Sequence, residues 1–196
     1  MLISVDESIE SLKVEDMVKQ LSEFPQGLHG LMIYPDIITL REFYTYYIKK
    51  QIEEKNRVVL FNPFYETVSS VRRAFSDSHK AIDVNQYEST ESLIINDSLK
   101  EYFEQSNPMN SKKKLLEHAS RNGKDGLVVI ADLGPYLFKQ MHDKLLEHES
   151  SLPSSFGTSM SGLCIYHQLD FNRLSEEQKR ELVQTHSLTL KLERHN

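Results

Sequence analysis

The chain has 196 residues, 39% of them hydrophobic and 27% charged, with a net charge of -6; this suits a globular domain with a substantial core. The acidic balance argues against a nucleic-acid-binding face, and apolar runs such as 127–131 (LVVIA) are far too short to span a bilayer. One cysteine excludes an intramolecular disulfide and no signal segment opens the chain, so a cytoplasmic protein that engages neither nucleic acid nor membrane is expected.

Residues 1–26 read as an N-terminal helical segment: Ile9, Leu12, Val14, Met17, Val18 and Leu21 recur at helix-like spacing among acidic residues, and Phe24-Pro25-Gln26-Gly27 closes it. Residues 27–196 read as one α/β domain. Residues 30–34 (GLMIY) form a predicted strand stopped by Pro35, and Asp36 is a candidate cap for a helix reaching Glu54. A second strand at 57–62 (RVVLFN) ends at Pro63, a helix over 65–75 follows, and 81–87 (AIDVNQY) reads as a third strand. Residues 89–121 hold one or two helices broken near Asn107-Pro108. The run 126–131 has the continuous apolar character of a central strand covered on both faces. Then come a helix over 135–149, a loop at 152–157, a strand in 161–171 (SGLCIYHQLDF), a helix over 175–186 and a short strand at 187–192. This alternation predicts a mostly parallel central sheet with helices on both faces.

Ligands of such sheets usually bind beyond the carboxyl ends of the strands. The loop after the first domain strand reads Tyr34-Pro35-Asp36-Ile37-Ile38-Thr39, with neither the glycines nor the lysine of a phosphate-binding loop. Asp132 ends a strand as a magnesium-associated aspartate would, but without that loop it reads as a cap for the helix near Pro135. Side chains alternate across a strand, so Cys164 and Tyr166 face one way while Ile165 and His167 face the other; Cys164 and His167 cannot form a thiolate–imidazole pair. No local metal-ligand spacing occurs: His142 and His148 fall on different helix faces, and His29, Cys164 and His186 could meet only through the fold. The run Lys112-Lys113-Lys114 reads as a solvated helix start. Phe43, Tyr44, Tyr46 and Tyr47 ring the first long helix, as a broad core face or as the wall of a pocket or partner surface.

The order of motifs resembles the MEDS domain, the DcmR-type sensory domain named from methanogen and methylotroph regulators. The resemblance rests on HGLMIY, NRVVLFNP, LLEHESSL, LCIYHQLDF and ELVQTHSLTL, between about His29 and Leu192. It implies a RecA-like fold without a P-loop and a sensory role toward small, hydrocarbon-derived ligands. By position it implies His29, Tyr34, Glu149, Cys164, Tyr166 and His186 as ligand-binding residues. No catalytic residue, cofactor or metal is expected. No kinase or helix-turn-helix output region is read in these residues, so signalling through a protein partner is expected, with a homo-oligomer also compatible. The alternatives are a structural interaction module without a ligand, or an enzyme using Cys164 with His29 or His186.

Overall fold

A computed structural model describes residues 4–77, 82–104, 108–156 and 159–194. In chain order the elements are α1 (Val5–Ser8), β1 (Glu10–Leu12), α2 (Val14–Glu23), β2 (His29–Tyr34), α3 (Ile37–Glu53), β3 (Val58–Asn62), α4 (Val68–Asp77), α5 (Val84–Ser89) and β4 (Leu93–Ile95). They continue as α6 (Ser98–Phe103), α7 (Pro108–Arg121), β5 (Leu127–Asp132), α8 (Gly134–Phe138), α9 (His142–Ser151), β6 (Met160–His167), α10 (Gln168–Phe171), α11 (Glu176–Thr185) and β7 (Leu188–Leu192). The strands make one seven-stranded sheet in the order β1-β7-β2-β6-β5-β3-β4. Every strand pairing in it is parallel, so all carboxyl ends lie along one edge.

The two-residue period of each strand divides its side chains between two apolar layers. Met32 and Tyr34 join Leu163 and Ile165 beneath α2, α3 and α4, whereas Leu31 and Ile33 join Cys164 and Tyr166 beneath α8, α9 and α11. Val58, Leu60, Leu127 and Val129 pack with Ala119 of α7 on that second face. Strands covered on both faces need apolar residues at successive positions, which the continuous runs supply. Each fully buried leucine, isoleucine or phenylalanine here contributes about 1.5–3 kcal/mol of transfer free energy. Among the described residues no helix is long and apolar enough to cross a membrane.

Asp36 caps α3 as expected, its carboxylate accepting from the Thr39 N–H at 2.9 Å. Phe43, Tyr44 and Tyr47 are buried in the core, so this face of α3 packs on the sheet. The segment 1–26 contains the expected helices, and it also adds edge strand β1 beside β7 and packs α2 into the main core.

Three expectations are corrected. The strand predicted at 81–87 is helix α5, because Asp83 accepts from the Gln86 N–H and starts a helix there; the strand of this region is β4. Ala81, Asn107 and Gly157 lie outside the described residues. The single helix expected over 135–149 is two, α8 and α9, separated where Gln140 adopts a left-handed φ of 56°. Lys112 is not solvated: it is buried against Glu101, with Nζ 3.0 Å from Oε1.

Candidate functional site

Four donor-bearing side chains meet near the amino edge of the sheet. His29 opens β2, and His186 ends α11 just before β7, the strand beside β2. Glu149 lies in the last turn of α9, and Cys164 lies within β6 on the other side of β2. The β2–β6 register sets His29 beside Gly162 and Leu31 beside Cys164, which puts His29 and Cys164 on the same sheet face. Glu149 Oε2 is 3.5 Å from His29 Nε2, 3.5 Å from His186 Nε2 and 3.4 Å from Cys164 Sγ. Cys164 Sγ is 3.7 Å from His29 Nε2. All four residues are buried.

The surroundings fix the orientation of these groups. His186 Nδ1 lies 2.7 Å from the Leu182 carbonyl oxygen, which can only accept, so Nδ1–H donates there and Nε2 is the ring nitrogen that faces the cluster. That Nε2 has no hydrogen-bond partner among the described residues. The Tyr166 hydroxyl donates to Glu149 Oε1, leaving Oε2 for the other three groups. Burial alone would raise the Glu149 carboxyl, but the facing His186 and His29 imidazoles and the Tyr166 hydroxyl outweigh it and hold it well below the usual carboxylate range. Burial, reinforced by the Glu149 charge, pushes the Cys164 thiol and the Tyr166 phenol well above their ordinary values. Cys164 is thus a buried protonated thiol, unlike the depressed thiols of cysteine nucleophiles.

Beside this cluster lies a cavity of about 270 Å³, lined by His29 and Cys164 and by Tyr102, Met109, Lys112, His148, Phe156 and Met160 among others. Gly162 makes room for one wall: a Cβ there would stand 2.9 Å from the Phe156 ring, which itself packs 5.4 Å from the His29 ring. Burial lowers the His148 pKa, and this ring stacks on Tyr136. Two buried polar atoms of cavity-lining residues, His29 Nδ1 and Tyr102 Oη, have no hydrogen-bond partner among the described residues. Buried polar groups in folded proteins are normally paired.

Tyr34 does not join this group. It ends β2 at the opposite edge, where its hydroxyl donates to Asp132 Oδ2 at 2.9 Å. Asp132 Oδ1 accepts from the Gly134 N–H at 2.8 Å, the first residue of α8, but the N-cap position of that helix is Leu133, so Asp132 stands one residue ahead of the cap expected of it. Burial raises the Asp132 carboxyl to about 7. Tyr65 donates to Asp170 nearby, and His167 packs edge-on against Tyr34 at 5.2 Å. The loop after β2 offers no phosphate cradle, because the Asp36 carboxylate already occupies the start of α3. A nucleoside triphosphate does not fit these residues.

No curated protein sequence matches the chain. The profile of MEDS, the MEthanogen/methylotroph, DcmR Sensory domain, matches residues 29–187, a span that opens on His29 and closes one residue after His186. The chain belongs to the MEDS family. MEDS is a family of sensory domains, which supports a sensory or regulatory role for this member. Among solved structures, this MEDS chain is similar to a KaiC-like protein from the hyperthermophilic archaeon Pyrococcus horikoshii, with a TM-score of 0.57 and 16% identity over 88% of this chain and 76% of that one. That likeness concerns the fold, and it supports the RecA-like architecture expected from the motifs.

Of the six residues implied by the family motifs, His29, Glu149, Cys164, Tyr166 and His186 converge, and Tyr34 lies apart. Sequence reasoning missed Tyr102, Lys112, His148 and Phe156 as cavity residues of this MEDS domain. A buried lysine in a basic run and a tyrosine in a short helix carry no local signal of the pocket they line.

Proposed function

We propose that this MEDS protein is a non-enzymatic sensory module that takes a small, largely apolar, hydrocarbon-derived molecule in the amino-edge cavity and signals through a protein partner. The observation that carries this reading is a cavity, about 270 Å³ in volume, whose lining residues include two with buried polar atoms that have no hydrogen-bond partner among the described residues, His29 Nδ1 and Tyr102 Oη. That volume lies just below the usual range of ligand pockets and has room for a molecule of up to about ten heavy atoms bearing one polar group, so one- and two-carbon compounds also fit. Membership of a sensory family supports regulation over catalysis. The partner follows from the sensory role of the family.

The test is calorimetry and thermal shift of the purified protein against one- and two-carbon halocarbons, alcohols, aldehydes and carboxylates. At least one class is expected to bind and raise Tm, and Tyr102→Phe is expected to weaken that binding. No heat and no shift across the panel would remove the ligand from this account.

A further inference from the structure

We infer that His29, Glu149, Cys164 and His186 form a four-coordinate site for a divalent transition-metal ion of the zinc class. Each residue comes from a different part of the chain, and their donor atoms all lie within 4.8 Å of one another.

Four of the six donor–donor distances match those of ligands around a tetrahedral ion, and the remaining two lie within 4.8 Å. Ligand bonds of about 2.0–2.3 Å to nitrogen, oxygen and sulfur place tetrahedral donors roughly 3.3–3.6 Å apart. The contacts of Glu149 Oε2 with both imidazoles and the thiol measure 3.5, 3.5 and 3.4 Å, and the thiol lies 3.7 Å from His29 Nε2. Such distances are long for direct hydrogen bonds between nitrogen and oxygen.

The orientation is the second, independent observation. The His186 side chain is fully buried, its Nδ1–H is committed to the Leu182 carbonyl, and its Nε2, without a hydrogen-bond partner among the described residues, faces the Glu149 carboxylate oxygen at 3.5 Å. A ring nitrogen and a carboxylate oxygen held face to face at that separation leave room for a cation between them. Metal-bound histidines characteristically donate their other ring N–H to a carbonyl, as His186 does. Tyr166 similarly donates to Oε1 of Glu149 and leaves Oε2 for the ion. Two imidazoles, one carboxylate and one cysteine, whose thiol releases its proton to solvent when it takes up the ion, suit zinc and its neighbours and are foreign to calcium or magnesium. An ion here would tie α9, β2, β6 and the α11–β7 junction together beside the cavity wall that His29 and Cys164 share.

This inference goes beyond the ligand reading, and metal binding is measured with metal alone, so either can fail without the other. The full chain, purified without a polyhistidine tag or chelator, is expected to carry one zinc-class ion per chain by elemental analysis. After metal removal, Co²⁺ titration is expected to give a thiolate-to-cobalt charge-transfer band and d–d bands of tetrahedral intensity. Cys164→Ser is expected to lose the charge-transfer band, and Glu149→Gln to weaken Co²⁺ binding at least tenfold. Tyr166→Phe keeps all four donors; it is expected to retain the band while binding more weakly, which separates a positioning effect from loss of the fold. A folded wild-type chain that takes up neither Zn²⁺ nor Co²⁺, or binds Co²⁺ without the charge-transfer band, would overturn the inference and leave a proton-sharing network in its place.

Discussion

The His29 and His186 imidazoles pack with ring centroids 4.2 Å apart, and each presents Nε2 to the same Glu149 oxygen at 3.5 Å. Two buried rings closing on one carboxylate make Glu149 the hub of the cluster. Removing one member of a buried charged group leaves the others unpaired in a medium that cannot solvate them. Glu149→Ala is therefore expected to cost about 3 kcal/mol or more in urea unfolding. Glu149→Gln keeps the volume and is expected to cost less. Equal stability of Glu149→Ala and wild type would show that the cluster contributes nothing to the fold.

Tyr102 offers a test with opposite signs in two measurements. Its buried hydroxyl has no partner, and burial pushes its pKa well above the ordinary phenol value. Tyr102→Phe removes that unsatisfied group and is expected to stabilise the ligand-free protein by about 1 kcal/mol. The same change is expected to weaken binding of whichever compound the wild type takes. A destabilised variant with unchanged affinity would place the hydroxyl's partner elsewhere.

Asp132 makes stability depend on pH at the other edge of the sheet. Burial raises its carboxyl from 3.8 to about 7, against the opposing hydrogen bonds from Gly134, Tyr34 and Phe64 and with the help of the nearby Asp170 charge. Between those two values the folded protein keeps a proton that the unfolded chain has lost. The stabilisation is thus complete below pH 4, falls as pH rises through the window and is gone above about 7. The group accounts for a loss of roughly 4 kcal/mol across that range. Urea midpoints are expected to fall from pH 4 to pH 7 in the wild type and to vary less in Asp132→Asn. Parallel curves for the two proteins would exclude Asp132 as the source.

Gly162 tests the cavity without touching a donor. An added methyl would meet the Phe156 ring at 2.9 Å, and that ring stands at the free end of its side chain, so it can swing aside into the space it borders. Gly162→Ala is expected to reduce ligand affinity at least tenfold while changing stability by about 1 kcal/mol. Unchanged affinity would indicate that Phe156 moves away from the cavity.

Much of this arrangement could be read from local patterns. Alternation within β6 correctly separated Cys164 and Tyr166 from His167, and continuous apolar runs located β2, β3 and β5. Asp36 announced α3 through its cap. What escaped depends on non-local pairing. The cluster exists because β2 lies between β6 and β7, an adjacency that no stretch of sequence encodes by itself. Each of its four donors comes from a different place, so a search for paired histidines at helical spacing finds nothing. Family motifs named five of the converging residues, yet Tyr34, at the far end of the same strand as His29, shows that shared motif and shared site are different things. The misread strand at 81–87 failed although Ile82, Asp83, Val84 and Asn85 alternate, because the Asp83 carboxylate accepts from the Gln86 N–H and starts α5.

The central claim is that the amino-edge cavity, rather than the carboxyl edge of the sheet, receives the sensed molecule. Methyl NMR of ¹³C-labelled methionine tests it most directly, because Met109 and Met160 line the cavity while Met17 of α2 and Met32 of β2 lie in the core on the other face of the sheet. On titration with the one- and two-carbon panel, the Met109 and Met160 signals are expected to shift in a saturable way, with Met17 and Met32 unmoved. Saturable binding that leaves Met109 and Met160 unchanged would contradict the claim.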